Sequence, residues 1–168
     1  MKLCFYQNFH NKNQSPGFGL VEILIAVSFI GLALAGLITL TNLTFKLSQQ
    51  AKNNLIAANL ATEALEAVRA IKEESWSTIS SLTIGNPYHP QKAGLPLKWS
   101  LAAGNENLNG FMRQVVINNV YRDGQFNIVS SGGTLDPDTK KITSSVFWSY
   151  KGQSYNATLF VYLTRWQP

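Results

Sequence analysis

A chain of 168 residues favours one folded domain plus an appendage, because a second domain would leave each too small to bury a sizeable core. The formal charge is +5, and without Lys2 and Lys12 it falls to +3 on 12 basic and 9 acidic residues. The remaining cations are scattered, which reads as solvated surface and gives no nucleic-acid footprint. The single cysteine, Cys4, excludes an intramolecular disulfide and gives no help in naming a compartment.

Mean hydropathy is near zero, yet the apolar residues are unevenly distributed. Residues 1–17, MKLCFYQNFHNKNQSPG, carry two lysines and no continuous apolar core of the signal-peptide kind. The apolar run comes after them, so cleavage after Gly17 would leave the hydrophobic segment at the new N-terminus. Residues 18–45 would span about 42 Å as a helix, more than the ~30 Å hydrocarbon core of a bilayer. Lys2 and Lys12 before the run, with no further lysine or arginine until Lys46, favour a cytoplasmic leader and an exported C-terminal part.

Glu22 stands at the head of this run, where an acid costs on the order of 2–3 kcal/mol unless it neutralises or finds a partner. A cut before Phe18 creates a cationic amine four residues away, on the same chain or a neighbouring copy, that would pair with this carboxylate. The stretch GFGLVEILIA, with Gly17 before Phe18 and a glutamate fifth from the cut, resembles the processing motif of type IV prepilins and type II secretion pseudopilins. The resemblance implies cleavage after Gly17 and N-methylation of Phe18 by a membrane peptidase. It also implies a role for Glu22 in meeting the amine of an adjacent subunit during assembly.

Gly31 and Gly36 weaken the middle of the segment by up to about 1 kcal/mol each relative to alanine. They read either as close helix packing or, by the resemblance, as the stretch where pilin helices lose helicity on assembly. Major pilins often place a proline here. This chain has Thr39 and no helix proline, which points to a minor pilin or pseudopilin.

Residues 46–74 turn amphipathic, with two apolar stripes. One holds Leu47, Ala51, Leu55, Ala58, Thr62, Leu65 and Val68; the other holds Ile56, Leu60, Ala64, Ala67 and Ile71. A second stripe is explained by a neighbouring helix, or by one domain burying the helix on both sides. A helix from residue 18 to about residue 71 would be roughly 80 Å long, far beyond the usual globular helix. The Gly85, Pro87 and Pro90 punctuation follows it.

Residues 75–168 read as an antiparallel β domain with strands at 96–102, 111–121, 125–131, 142–150 and 156–166. Residues 157–163 alternate apolar and polar or aromatic side chains. The hairpin ending in Trp166 also resembles the end of pilus minor subunits. The expected fold is therefore α+β, the pilin-like lollipop of a long N-terminal helix packed on a C-terminal antiparallel sheet.

His10 and His89 are the two histidines, and one imidazole outside the leader builds no triad or zinc site, so His89 reads as a loop residue. Neither a nucleophile elbow nor a phosphate loop is present in the sequence, and no enzyme activity and no cofactor are expected. Asp136 and Asp138 in DPDTKK are the weak metal candidates, for calcium, against a plain turn with proline at its second position.

The resemblance thus implies a structural subunit of a type IV pilus or secretion filament, first in the inner membrane and then in the filament. Its partners would be a prepilin peptidase and methylase, other pilin or pseudopilin subunits, an inner-membrane assembly platform and membrane lipid. The alternatives are a membrane-anchored extracytoplasmic binding module, and a competence pseudopilin touching DNA, which the +3 charge permits without supporting.

Overall fold

The computed structural model describes residue 17 and residues 19–165. Residues 1–16, Phe18 and residues 166–168 lie outside the described residues, and with them the leader up to Gly17, Cys4, His10, the expected site of methylation and Trp166.

The fold is α+β, with one long N-terminal helix and a C-terminal antiparallel sheet. Helix α1, Leu20–Glu74, is unbroken over 55 residues. Glu22 lies in its first turn and Lys72 in its last, each placed to complement the helix dipole. A one-turn helix α2, Trp76–Ser80, follows. The strands are β1 (Pro87–Ala93), β2 (Lys98–Ala103), β3 (Glu106–Leu108), β4 (Phe111–Arg122), β5 (Ile128–Val129), β6 (Thr134–Tyr150) and β7 (Gln153–Thr164). The sheet runs β2-β1-β4-β6-β7, with β3 and β5 pairing onto β4.

The chain divides into two compact units, Met1–Leu47 and Ser48–Pro168. In the first, every described residue is exposed, as a helix with no protein around it must be.

In the second, residues 48–74 of α1 lie on the sheet along a seam of small residues. Ala57 and Ala61, one helical turn apart, are fully buried against Val146 and Trp148. Ala64, Leu65, Val68 and Ile71 continue the seam against Val115, Ile117, Ile142 and Leu163, with Ile79 of α2 closing the far end. Over the methyl side chains at 57, 61 and 64, Trp148 and the branched residues of β4 and β6 fill the interface. The seam takes most of the second predicted stripe. Of the first stripe only Leu65 and Val68 are buried, while Leu55 remains 63% exposed.

The sheet departs from the sequence expectation in three places. Strand β1 occupies residues expected to be punctuation, and His89 sits in it rather than in a loop, its Nδ1 3.1 Å from the Gly104 carbonyl. Pro87 opens the strand, and pairing with β4 ends at Tyr88, so Pro90 lies where no β4 partner requires its missing N–H. The expected strand 125–131 shrinks to Ile128–Val129 because Asp123 gathers the preceding residues into a turn. DPDTKK lies within β6 instead of in a turn. There the ladder jumps from Asn119 opposite Lys140 to Val120 opposite Asp136, a bulge that accommodates Pro137. The hairpin expected at KGQS does form: Lys151 and Gly152, with φ of 50° and 77°, make the two-residue turn between β6 and β7.

Two cations expected at the surface are inside. Lys140 is 8% exposed and its Nζ donates to Asn119 Oδ1 at 2.7 Å. Arg113, 3% exposed on the helix-facing side of β4, donates to Glu106 of β3 at 2.6 Å and to Glu63 of α1 at 3.2 Å. It thereby ties the helix to the sheet. Arg113→Ala is expected to lower the stability of residues 48–168 by about 3 kcal/mol, the lower end for breaking a buried pair, because both glutamates keep contact with water. Urea denaturation measures this, and an unchanged midpoint would refute the tie.

Candidate functional site

The apolar half of α1 is the candidate assembly surface, and its chemistry follows from what the helix leaves uncovered. From Leu20 to Phe45 the large side chains are exposed by half or more, and the segment is long and apolar enough to cross a membrane. Exposing such a surface to water costs ~25 cal/mol per Å². The polar side chains within it are handled locally. Ser28, Thr39, Thr41 and Thr44 donate their hydroxyls to the carbonyls four residues earlier, at 2.8–3.0 Å. No hydroxyl of these four is left without an acceptor in an apolar medium.

Glu22 differs from them. Its N–H donates to the Gly19 carbonyl at 3.0 Å, starting the helix, but its carboxylate is exposed and meets no cation among the described residues. Gly17, the residue before the expected cut, is exposed as well. Phe18 lies outside the described residues, so the pairing of its amine with Glu22 stays an expectation.

Gly31 and Gly36 lie in continuous helix, and a Cβ built at either would meet nothing within 4 Å. Nothing in this chain needs a glycine at these points. The ~1 kcal/mol each forgoes relative to alanine has a return only in contact with something else.

A second apolar surface lies farther along the helix. Ala51, Leu55, Ala58 and Thr62 form a row along the flank of the helix beside the buried seam, with Ala58 half-buried and the other three exposed, and beyond Thr62 the row continues as Glu66, Arg69 and Glu73. The sequence placed Ala51 to Thr62 in an apolar stripe. The domain leaves Ala51, Leu55 and Thr62 exposed and covers Ala58 only in part, which goes against one domain burying the helix on both sides.

The carboxylates of DPDTKK are engaged with arginines. Asp136 accepts from Arg122 Nε at 2.6 Å, and Asp138 lies 3.6 Å from Arg165. Among the described residues no group of three or more histidine, cysteine, aspartate or glutamate side chains converges to hold a metal ion. The Arg122 guanidinium, and then Thr139, hold the Asp136 carboxyl below the usual carboxylate range. Asp123 is also lowered, chiefly by the Asn127 side chain and backbone N–H. A lowered folded-state value stabilises the fold above the ordinary carboxylate range, and that contribution is lost as pH falls through it. Asp136→Asn should therefore lower the urea midpoint at pH 7, and the difference should begin to shrink as pH enters the ordinary carboxylate range and vanish only below the lowered folded-state value. A difference that stayed constant with pH would assign the loss to packing instead.

No family model, curated protein or solved structure matches this chain.

Proposed function

We propose that the protein is a structural subunit of an extracytoplasmic helical filament of the type IV pilus or type II secretion kind, in the position of a minor pilin or pseudopilin. The observation that carries this reading is a single unbroken helix, Leu20–Glu74, that packs on its own sheet only along residues 57–71. Its remaining apolar surface is left for other molecules. In the membrane, lipid covers residues 23–45; in the filament, the same residues pack on helices of other copies, with Gly31 and Gly36 at closest approach.

Glu22 gives this transfer a direction. A carboxylate at the top of an apolar segment is tolerated while it is near the headgroups and becomes costly when drawn into a helix bundle unless a cation meets it. Cutting after Gly17 makes that cation at Phe18, and a prepilin peptidase would supply both the cut and the methyl group. Pairing with a subunit already placed fixes the register of the incoming one. An inner-membrane assembly platform would drive extraction, and the sheet domain remains outside the membrane.

Mass spectrometry of the mature protein is expected to find an N-terminus at N-methylated Phe18. A chain still beginning at Met1 in its working location, or cut elsewhere, would favour the membrane-anchored binding module. Glu22→Ala should leave membrane insertion intact and reduce recovery in sheared filaments at least tenfold, the equivalent of an ion pair worth about 1.4 kcal/mol. Unchanged recovery would contradict the pairing.

A further inference from the structure

The turn between β4 and β5 displays a side chain that serves neither the core nor the sheet. Phe126 is 80% exposed, with φ of +65°, a conformation that strains a bulky residue and that glycine would adopt freely. The turn nevertheless holds it firmly. The Asp123 carboxylate accepts from the backbone N–H of Gln125 at 2.9 Å and of Asn127 at 2.8 Å, and Arg122 donates to the Phe126 carbonyl at 2.8 Å. A turn whose backbone is held in this way and that presents an aromatic ring to water has the form of a binding anchor.

At the other end of the β4–β6 ladder lies an open, uncharged hollow of about 310 Å³, large enough for a phenyl ring. It is lined by Met112, Phe147, Trp148, Ser149, Ser154 and Tyr155. The charges beside the two features are opposite: with Arg122 paired to Asp136, Asp123 is the charge left over in the turn that carries Phe126, and Lys151 lies in the hairpin beside the hollow.

The packing of the domain orders these features along the helix. Trp148 and Val146 sit on Ala57 and Ala61, whereas Ile142 sits with Ala64 to Ile71, so β6 runs alongside α1 in the opposite sense. The hollow therefore flanks the earlier part of the 48–74 segment. The Phe126 end, where Arg122 faces Thr134, lies toward and beyond its later part. Copies with parallel helices, displaced along the helix axis, bring the ring of one to the hollow of the next. The fourteen steps from Leu135 to Ser149, at ~3.3 Å each, put that displacement at about 46 Å.

We propose that Phe126 is a docking knob that inserts into the Met112–Phe147–Tyr155 hollow of the next copy of this chain along the filament. This rests on the filament reading above. Knob and socket at opposite ends of one domain make a heterologous contact, which repeats without closing and so builds a helical array.

The test uses the full-length chain expressed in its own host, in a Cys4→Ser background. Gln125→Cys, which keeps the Phe126 ring, combined with Ser154→Cys under mild oxidation is expected to give a ladder of disulfide-linked multimers from the filament fraction, whereas Gln91→Cys with Ser154→Cys gives none. Phe126→Gly is expected to raise the thermal midpoint by relieving the backbone while lowering filament recovery about tenfold, since an anchor of this kind is worth 1 kcal/mol or more. Chains recovered in filaments without the ladder, or Phe126→Gly with unchanged recovery, would overturn the inference and leave the filament reading standing. A lowered thermal midpoint for Phe126→Gly would assign the ring to folding and overturn it as well. Parent chains found only as membrane-bound monomers would overturn both.

Discussion

The structure depends on how closely one helix can approach one sheet. Ala57, Ala61 and Ala64 present only methyl groups to β4 and β6, and Trp148, Val146 and Ile142 fill the space this leaves. Larger residues at those three positions would lift the helix and open voids around the indole, at the cost that overpacked cores show. The rest of the domain follows from this contact. The sheet buries one face against the helix, Arg113 reaches from that face to Glu63, and the opposite side of the helix stays uncovered.

That uncovered side links the fold to the proposed work. A domain of this size covers only a few turns of α1, and the chain continues the helix well outside them. Soluble proteins do not maintain an exposed apolar surface of this extent without an occupant. The charges show where the occupant stops. The row from Ala51 to Thr62 is apolar, and Glu66, Arg69 and Glu73 on the same side return it to water. The bulge at Asn119 and Val120 contributes by placing Asp136 against Arg122, which in turn grips the turn bearing Phe126. Hydrogen bonds and ion pairs in the domain thus hold apolar groups in place for contacts outside it.

Much of this was legible in the residues. The apolar run, the acid at its head, the amphipathic continuation and the alternation in β7 each carry a periodicity or a polarity break that survives in the structure. Ala57 and Ala61 were missed because alanine is a weak hydrophobic signal and only its partners show its importance. Strand β1 was missed because two prolines in seven residues look like a break, and only the pairing pattern reveals that neither needs a β4 partner for an N–H. Arg113 was visible as a charge in phase with Val115 and Ile117, a mismatch that marks a buried partner. The hollow and the strained Phe126 depend on backbone angles and long-range placement that no local pattern encodes. Glu22 stood out as an acid at the head of an apolar run, and the processing and assembly roles of Gly17 and Glu22 came from the resemblance to the prepilin motif.

The central claim is that α1 gives one side to its own sheet and the other to a neighbouring copy. Thiol accessibility at single cysteines placed at Leu55 and at Lys52, compared between the isolated domain and the assembled protein, tests it most directly. The account predicts that both react freely in the isolated domain and that assembly protects Leu55→Cys at least tenfold more than Lys52→Cys, as burial of an apolar row requires. Equal reactivity at Leu55→Cys in both states would contradict it.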